Sequence, residues 1–209
     1  MPRARVPLTR STLLQTLRTL AFARQGYDLL DRKREILLSE LMAATPVAER
    51  ARETLERALA DAYDALVRAR MSLGVDPVRR AALAAPGGLD LRVTERSVVG
   101  AVIPDVTCPP VELHPNLGFE GTSAELDRAT LAFAGVVASV CESAQAEVSV
   151  ARLAMEIRKT QRRVNALRNV VIPTQETIIK DVREALEDAE REAFFLAKRI
   201  RGRKERQAA

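Results

Sequence analysis

The chain has 209 residues, with 33 basic and 28 acidic side chains and a net charge of +5. Apolar residues make up 47% and charged residues 29%, yet aromatics only 3% with no Trp, which argues against an aromatic-rich globular core or a base-stacking platform and matches helices built from Ala, Leu, Glu and Arg. Its single histidine, His114, excludes a His dyad or multi-His metal site, and Cys108 and Cys141, in no CxxC spacing, suggest neither a metal site nor a disulfide framework and fit a reduced cytosolic setting.

The Met1–Leu14 stretch is basic but lacks the apolar core of a signal peptide, and no apolar run approaches the roughly 20 residues of a membrane span. Thr9 or Ser11 is placed to cap a helix. From there Leu13, Thr16, Leu20, Ala23, Tyr27, Leu30, Arg34, Leu37 and Leu41 follow in steps of three and four, the seam of a left-handed coiled coil broken only by Thr16 and Arg34. Pro46 predicts a kink or restart, after which Ala51, Leu55, Ala58, Ala62, Leu66 and Ala69 continue the stripe to Gly74.

The middle of the chain changes period. Leu89, Leu91 and Val93 alternate with polar residues, and Val98, Val99, Val102, Ile103 and Val106 surround Gly100. That pattern predicts two short strands in a hairpin, which on its own is marginal and needs a helix or partner to lean on. Pro104, Pro109, Pro110 and Pro115 exclude a long helix before about residue 120. Helical spacing returns at Ser123, with one stripe of Leu126, Phe133, Val137, Val140, Ala144, Ala151 and Met155. A second stripe holds Val164, Leu167, Val171, Ile178, Val182, Leu186, Ala189, Ala193, Leu196 and Ile200, with Pro173 inside it at a cost of about 3 kcal/mol if unsupported.

These elements predict a mainly α fold: a long antiparallel two-helix coiled coil of the N- and C-terminal helices, with a small central segment carrying the hairpin. Residues 1–71 form one arm, 72–122 a cap and 123–209 the other arm. Facing positions are expected to sum to about 208, putting Leu41 near Leu167, Leu13 near Leu196 and Met71 near Val137. A 60-residue helical arm would be about 90 Å long. No phosphate loop, GxSxG or HExxH motif is present, so neither catalysis nor a cofactor is expected.

Two stretches carry more than periodicity. Pro7-Leu8-Thr9-Arg10-Ser11-Thr12-Leu13-Leu14 precedes Ala23-Arg24-Gln25-Gly26-Tyr27-Asp28-Leu29-Leu30-Asp31-Arg32-Lys33-Arg34. Thr160-Gln161-Arg162-Arg163-Val164-Asn165-Ala166-Leu167 runs through Ile172-Pro173 toward Glu190-Arg191-Glu192-Ala193-Phe194-Phe195-Leu196-Ala197-Lys198-Arg199-Ile200. Together they resemble the D-subunit of the V/A-type ATPases: a Gly-x-x-Leu-Leu-x-x-Lys-Arg core near one end, and Arg-Arg-Val-Asn-Ala-Leu, Ile-Pro and Glu-Arg-Glu…Phe-x-x-Lys-x-Ile at the other. Arg168 departs from the acid usual after Asn-Ala-Leu, and the central segment matches only in its strand-like character.

The resemblance implies the non-catalytic central stalk of a rotary ATPase that couples ATP synthesis or hydrolysis to proton or sodium transport. Its expected partners are the A and B subunits of the catalytic hexamer, the F-subunit and the funnel-shaped subunit on the proteolipid ring. It implies a cytoplasmic protein peripheral to the membrane, with no direct membrane insertion and no nucleic acid.

Expected seam residues are Leu13, Leu20, Tyr27, Leu30, Leu37, Leu41, Val164, Leu167, Val171, Val182, Leu186 and Leu196. Arg10, Arg18, Arg191, Lys198 and Arg199 are candidate contacts with the stator. Gly26, Arg34, Arg162, Arg163 and Asn165 are candidates for setting register or meeting a partner, Arg34 by a hydrogen bond across the seam to Asn165 or an acid, Gly26 by close approach of another helix. A snorkelling Arg34, a tolerated Gly26 and an exposed Arg162-Arg163 face are the plain alternatives. A coiled-coil adaptor or scaffold, or a basic helical nucleic-acid binder, would share the periodicity.

Overall fold

A computed structural model describes residues 7–84, 90–109 and 122–207. The element order is α1 (Arg10–Leu73), α2 (Val75–Ala84), β1 (Arg92–Val98), β2 (Ala101–Thr107), α3 (Ala124–Ala166), a π-helical turn at Leu167–Val171, and α4 (Ile172–Gln207). The fold is mainly α, with a long N-terminal helix, long C-terminal helices and one two-stranded hairpin, as the periodicity predicts. Leu89 and His114, with Pro110 and Pro115, lie outside the described residues. Two compact units divide the chain, one of residues 1–34 with 159–209 and one of residues 35–158.

Thr9 starts α1: the Thr12 N–H donates to Thr9 Oγ1 at 3.2 Å, filling one of the donors a helix leaves open at its first turn. In the first unit the covered face of α1 is Thr16, Leu20 and Ala23, and that of the C-terminal helices is Thr160, Val164, Ile179 and Val182. Thr16 sits on an apolar seam without penalty because its hydroxyl donates to Thr12 O at 2.8 Å. Arg10–Glu190 and Arg24–Glu176 ion pairs link the two helices of the pair.

The two prolines are absorbed differently. Pro46 lies inside α1, which neither ends nor restarts there. The Thr45 hydroxyl donates to Leu41 O and Arg50 Nε to Pro46 O, side-chain bonds on either side of the missing Pro46 N–H. At Pro173 the backbone widens instead, and the Ile172 N–H donates to Leu167 O across five residues. A wider turn moves back the carbonyls a proline ring would strike, and it inserts one residue into the helix. The inserted residue advances the seam, so that Ile179 is buried where Ile178 is expected.

In the second unit the faces that meet are made of small residues. Ala62 and Ala69 of α1 are fully covered, with Ala65, Leu126 and Ala129 beside them and Val78 of α2 closing the cluster. Gly74 takes φ 82° and donates its N–H to Arg70 O, the left-handed ending that separates α1 from α2. Ser123 caps α3, its Oγ accepting from the Leu126 N–H and lying 3.3 Å from Ser72 Oγ. Because α3 starts directly opposite the end of α1, facing numbers sum to 193–200, as in Gly26 with Leu167, Ser72 with Ser123, Tyr63 with Phe133 and Arg24 with Glu176. The expected sum of 208 is therefore too large: Leu167 faces Gly26, Leu13 shares a groove with Leu186 and Glu190, and Met71 is exposed.

The α3 stripe also differs from expectation. Val140 and Met155 are exposed, as are Ala144 and Ala151, while Ala129, Val136, Ser143 and Leu153 are buried. Leu126 and Ala129 pack on Ala65 and Ala69 of α1, while Leu153 packs on Leu37 and the hairpin.

The hairpin pairs Arg92 with Thr107 through to Val98 with Ala101. Its closing residues Val99 and Gly100 have φ of 50° and 82°, the signs of a type I′ turn. Leu91 and Val93 are exposed, so the strand that packs inward is β2, through Ala101 and Ile103. These meet Leu37 and Leu153 in one cluster. Gln145 Oε1 accepts the Val106 N–H at 2.9 Å and Arg152 donates to Val102 O at 3.0 Å, so the hairpin leans on α3.

Leu37→Ala should therefore destabilise the protein by about 3 kcal/mol, from lost transfer energy and a residual cavity, in urea unfolding. Val99→Asn should do the opposite, by about 1 kcal/mol, because a β-branched residue at positive φ is strained and Asn-Gly is the pair this turn favours.

Candidate partner-binding surface

The first unit buries Leu20, Val164 and Val182 and partly covers Leu13, Tyr27, Leu30, Leu167, Val171 and Leu186. Leu37 is buried and Leu41 partly buried in the second unit. Leu196 stands apart at 58% exposure. The reason is register: Arg10, the first residue of α1, reaches Glu190, and α4 continues to Gln207. Beyond that pairing no described part of α1 remains to face it.

The uncovered end of α4 is strongly apolar. Phe194, Phe195, Leu196 and Ile200 are 57–69% exposed, and the two Phe rings meet edge to face with centroids 6.4 Å apart. The same unit also exposes Leu8, just before α1, and Leu14 and Phe22 on it. Cations are set among them: Arg10 bound to Glu190, Arg18 exposed, Arg191 pairing with Glu187 and Asp188 of its own helix, and Lys198 and Arg199 exposed. Such solvated pairs contribute only about 0–1 kcal/mol each, so they align side chains more than they hold the helices together.

Arg34 forms a polar crossing of the seam. Its Nη1 donates to Gln161 Oε1 at 3.2 Å, and Gln161 Nε2 donates to Asn165 Oδ1 at 2.8 Å. Arg34 thus reaches Asn165 through Gln161, a residue the sequence pattern did not single out. Arg34 Nη2 also lies 2.8 Å from Asp31 Oδ1. That approach is close but misaligned: Asp31 Oδ1 and Arg34 Nε are buried without a hydrogen-bond partner among the described residues. Leaving two such atoms unmatched costs stability, so the crossing serves alignment better than strength. Arg162 and Arg163 are exposed on α3 and Asn165 is exposed beside them.

A methyl group at Gly26 would stand 4.0 Å from Leu167 Cδ1, an ordinary contact. Nothing inside this unit requires glycine there. Gly26→Ala should raise the stability of the isolated chain by about 1 kcal/mol through helix propensity, read as a higher thermal midpoint.

No group of three or more His, Cys, Asp or Glu side chains that could hold a metal occurs among the described residues. The second unit has an open groove of about 560 Å³ between α1, the hairpin and α3, bordered by Glu40, Arg96, Asp105 and Glu142. By length and composition, one window of the helical run Ala124–Arg201 is apolar enough to cross a membrane, which corrects the expectation that no such run exists. Core helices of soluble proteins meet the same test, and part of this run is packed on α1.

The sequence matches the family described as the ATP synthase D-subunit over residues 12–202. It is 35% identical over 193 residues to the V-type ATP synthase D-subunit of Thermotoga neapolitana, covering 92% of this chain and 95% of that protein. It is 34% identical over 196 residues to the A-type ATP synthase D-subunit of Methanosphaera stadtmanae, covering 92% of each. The V-type ATP synthase D-subunit of Deinococcus deserti is 34% identical over 200 residues, covering 96% of this chain and 89% of that protein.

Proposed function

This chain belongs to the ATP synthase D-subunit family, and on that footing we propose that it is the central rotor shaft of a V/A-type ATPase. In this reading it carries torque between the A/B catalytic hexamer and the membrane rotor ring while the partner subunits perform the ATP chemistry. The first unit supplies the surface that turns inside the hexamer. The second supplies the surfaces for the F-subunit and for the funnel-shaped subunit above the proteolipid ring.

The observation that carries the proposal is the uncovered end of α4. Four large apolar side chains stand 57–69% exposed at a helix end already held by its upstream seam. An exposed patch of this kind, rimmed by Arg191, Lys198 and Arg199, suits a partner that surrounds the helix. A shaft must meet successive stator faces without sticking to any, and long cationic side chains make attractive but shallow contacts. The exposed Val140, Val148 and Met155 on α3 suit a second partner on the other unit, in keeping with the F-subunit.

Purified chain mixed with an A/B hexamer should co-elute on gel filtration at one copy per hexamer. A folded, helical sample that does not bind would overturn the shaft reading; self-association in its place would favour a coiled-coil adaptor. The double variant Phe194→Ser/Phe195→Ser should keep the helicity and thermal midpoint of the isolated chain yet weaken hexamer binding tenfold or more, about 1.4 kcal/mol or greater.

A further inference from the structure

The hairpin and α3 run past one another in a fixed register that brings the two cysteines together. Arg152 holds Val102 O, and Gln145 holds the Val106 N–H, so β2 advances as the numbering of α3 falls. Two residues beyond Val106 the strand has travelled about 6–7 Å, and four residues back from Gln145 the helix has travelled about 6 Å. Those steps end at Cys108 and Cys141. Both are free thiols close enough to influence one another, and the Cys108 thiol donates to Pro109 O at 3.6 Å. Cys141 is buried on α3, whereas Cys108 is partly exposed just past the end of β2.

We propose that Cys108 and Cys141 are a redox modification site, closing into a reversible intrachain disulfide that staples the outgoing end of β2 to α3. Cys108 is the entry point, because it is reachable from solvent. Burial pushes the Cys141 thiol above its ordinary range, and the neighbouring Cys108 adds to the effect, so Cys141 is the slower thiolate to form. The oxidant is a low-molecular-weight disulfide. The Cys108 thiolate attacks one of its sulfurs, forming a mixed disulfide and expelling the other half as a thiolate. Cys141 then passes its proton to solvent and attacks Cys108 Sγ, expelling the second half. Two protein thiols are oxidised, and one small disulfide is reduced to two small thiols. The rest of the hairpin is held to α3 by the Gln145 and Arg152 hydrogen bonds, so the cross-link tightens an existing contact. Intracellular disulfides of this kind are usually transient and sensing, consistent with one exposed and one buried partner.

The test treats the full-length chain with glutathione disulfide and reads titratable thiols, intact mass and non-reduced peptides. Both thiols should disappear, the mass should fall by two hydrogen atoms, the Cys108 and Cys141 peptides should be joined, and dithiothreitol should restore the starting state. Cys141→Ser should instead trap a stable glutathione adduct on Cys108. A lasting adduct on Cys108 of the unmodified chain, with Cys141 still titratable after unfolding, would overturn the proposal, as would disulfide-linked dimers in place of the internal bond.

Discussion

A helix tens of residues long has an apolar stripe it cannot satisfy alone, and here another stretch of the same chain, running antiparallel, covers it. Everything else is subordinate to that pairing. The stripe needs continuity more than bulk, which is why Thr16 is admitted once its hydroxyl is returned to Thr12 O, and why fully covered alanines serve as well as leucines in the second unit. Small residues shorten the distance between helix axes and so increase the number of close atom pairs, each worth little but many in sum. The hairpin obeys the same logic: its β2 side is useful because it gives Leu37 and Leu153 something to pack against.

Proline tests that continuity twice. A proline in an interior turn removes one ladder hydrogen bond and crowds a carbonyl four residues back. At Pro46 the helix continues unbroken. At Pro173 the backbone yields, and the inserted residue of the π-helical turn moves the next buried position from Ile178 to Ile179, with Val182 still on the predicted seam. The same sequence feature thus leaves the seam of α1 where periodicity puts it, yet shifts that of α4 onto Ile179.

That contrast explains what was legible in the sequence. The three-and-four spacing picked out Leu20, Leu37, Val164 and Val182, each of them apolar and buried. Alternation and Gly100 located the hairpin. The covered face of α3 was only partly legible because periodicity weighs hydrophobicity alone: Leu126 is buried as the stripe predicts, but Ser143 is buried and Met155 is not. The exposure of Leu196 was hidden for another reason. Nothing in the local pattern says where the partner helix ends, and only the alignment of Arg10 with Glu190 does. The path from Arg34 to Asn165 through Gln161 was half legible, since a polar residue on a seam announces that it needs a partner without naming which.

The end of α4 separates two demands that ordinarily compete. Apolar side chains that stabilise a fold are unavailable to a partner, and those offered to a partner contribute little to the fold. Here the upstream seam, through Val182 and Leu186, holds the helix to α1, so Phe194, Phe195, Leu196 and Ile200 are free to vary their surroundings without unfolding it. For the shaft proposed above this separation is a requirement: the contacts of a turning element change at every step, and its rigidity must not depend on them. The interleaved Arg, Lys and Glu side chains extend the principle to charge. Solvated pairs such as Arg191 with Glu187 form and break at little cost, so they steer a passing stator face without capturing it.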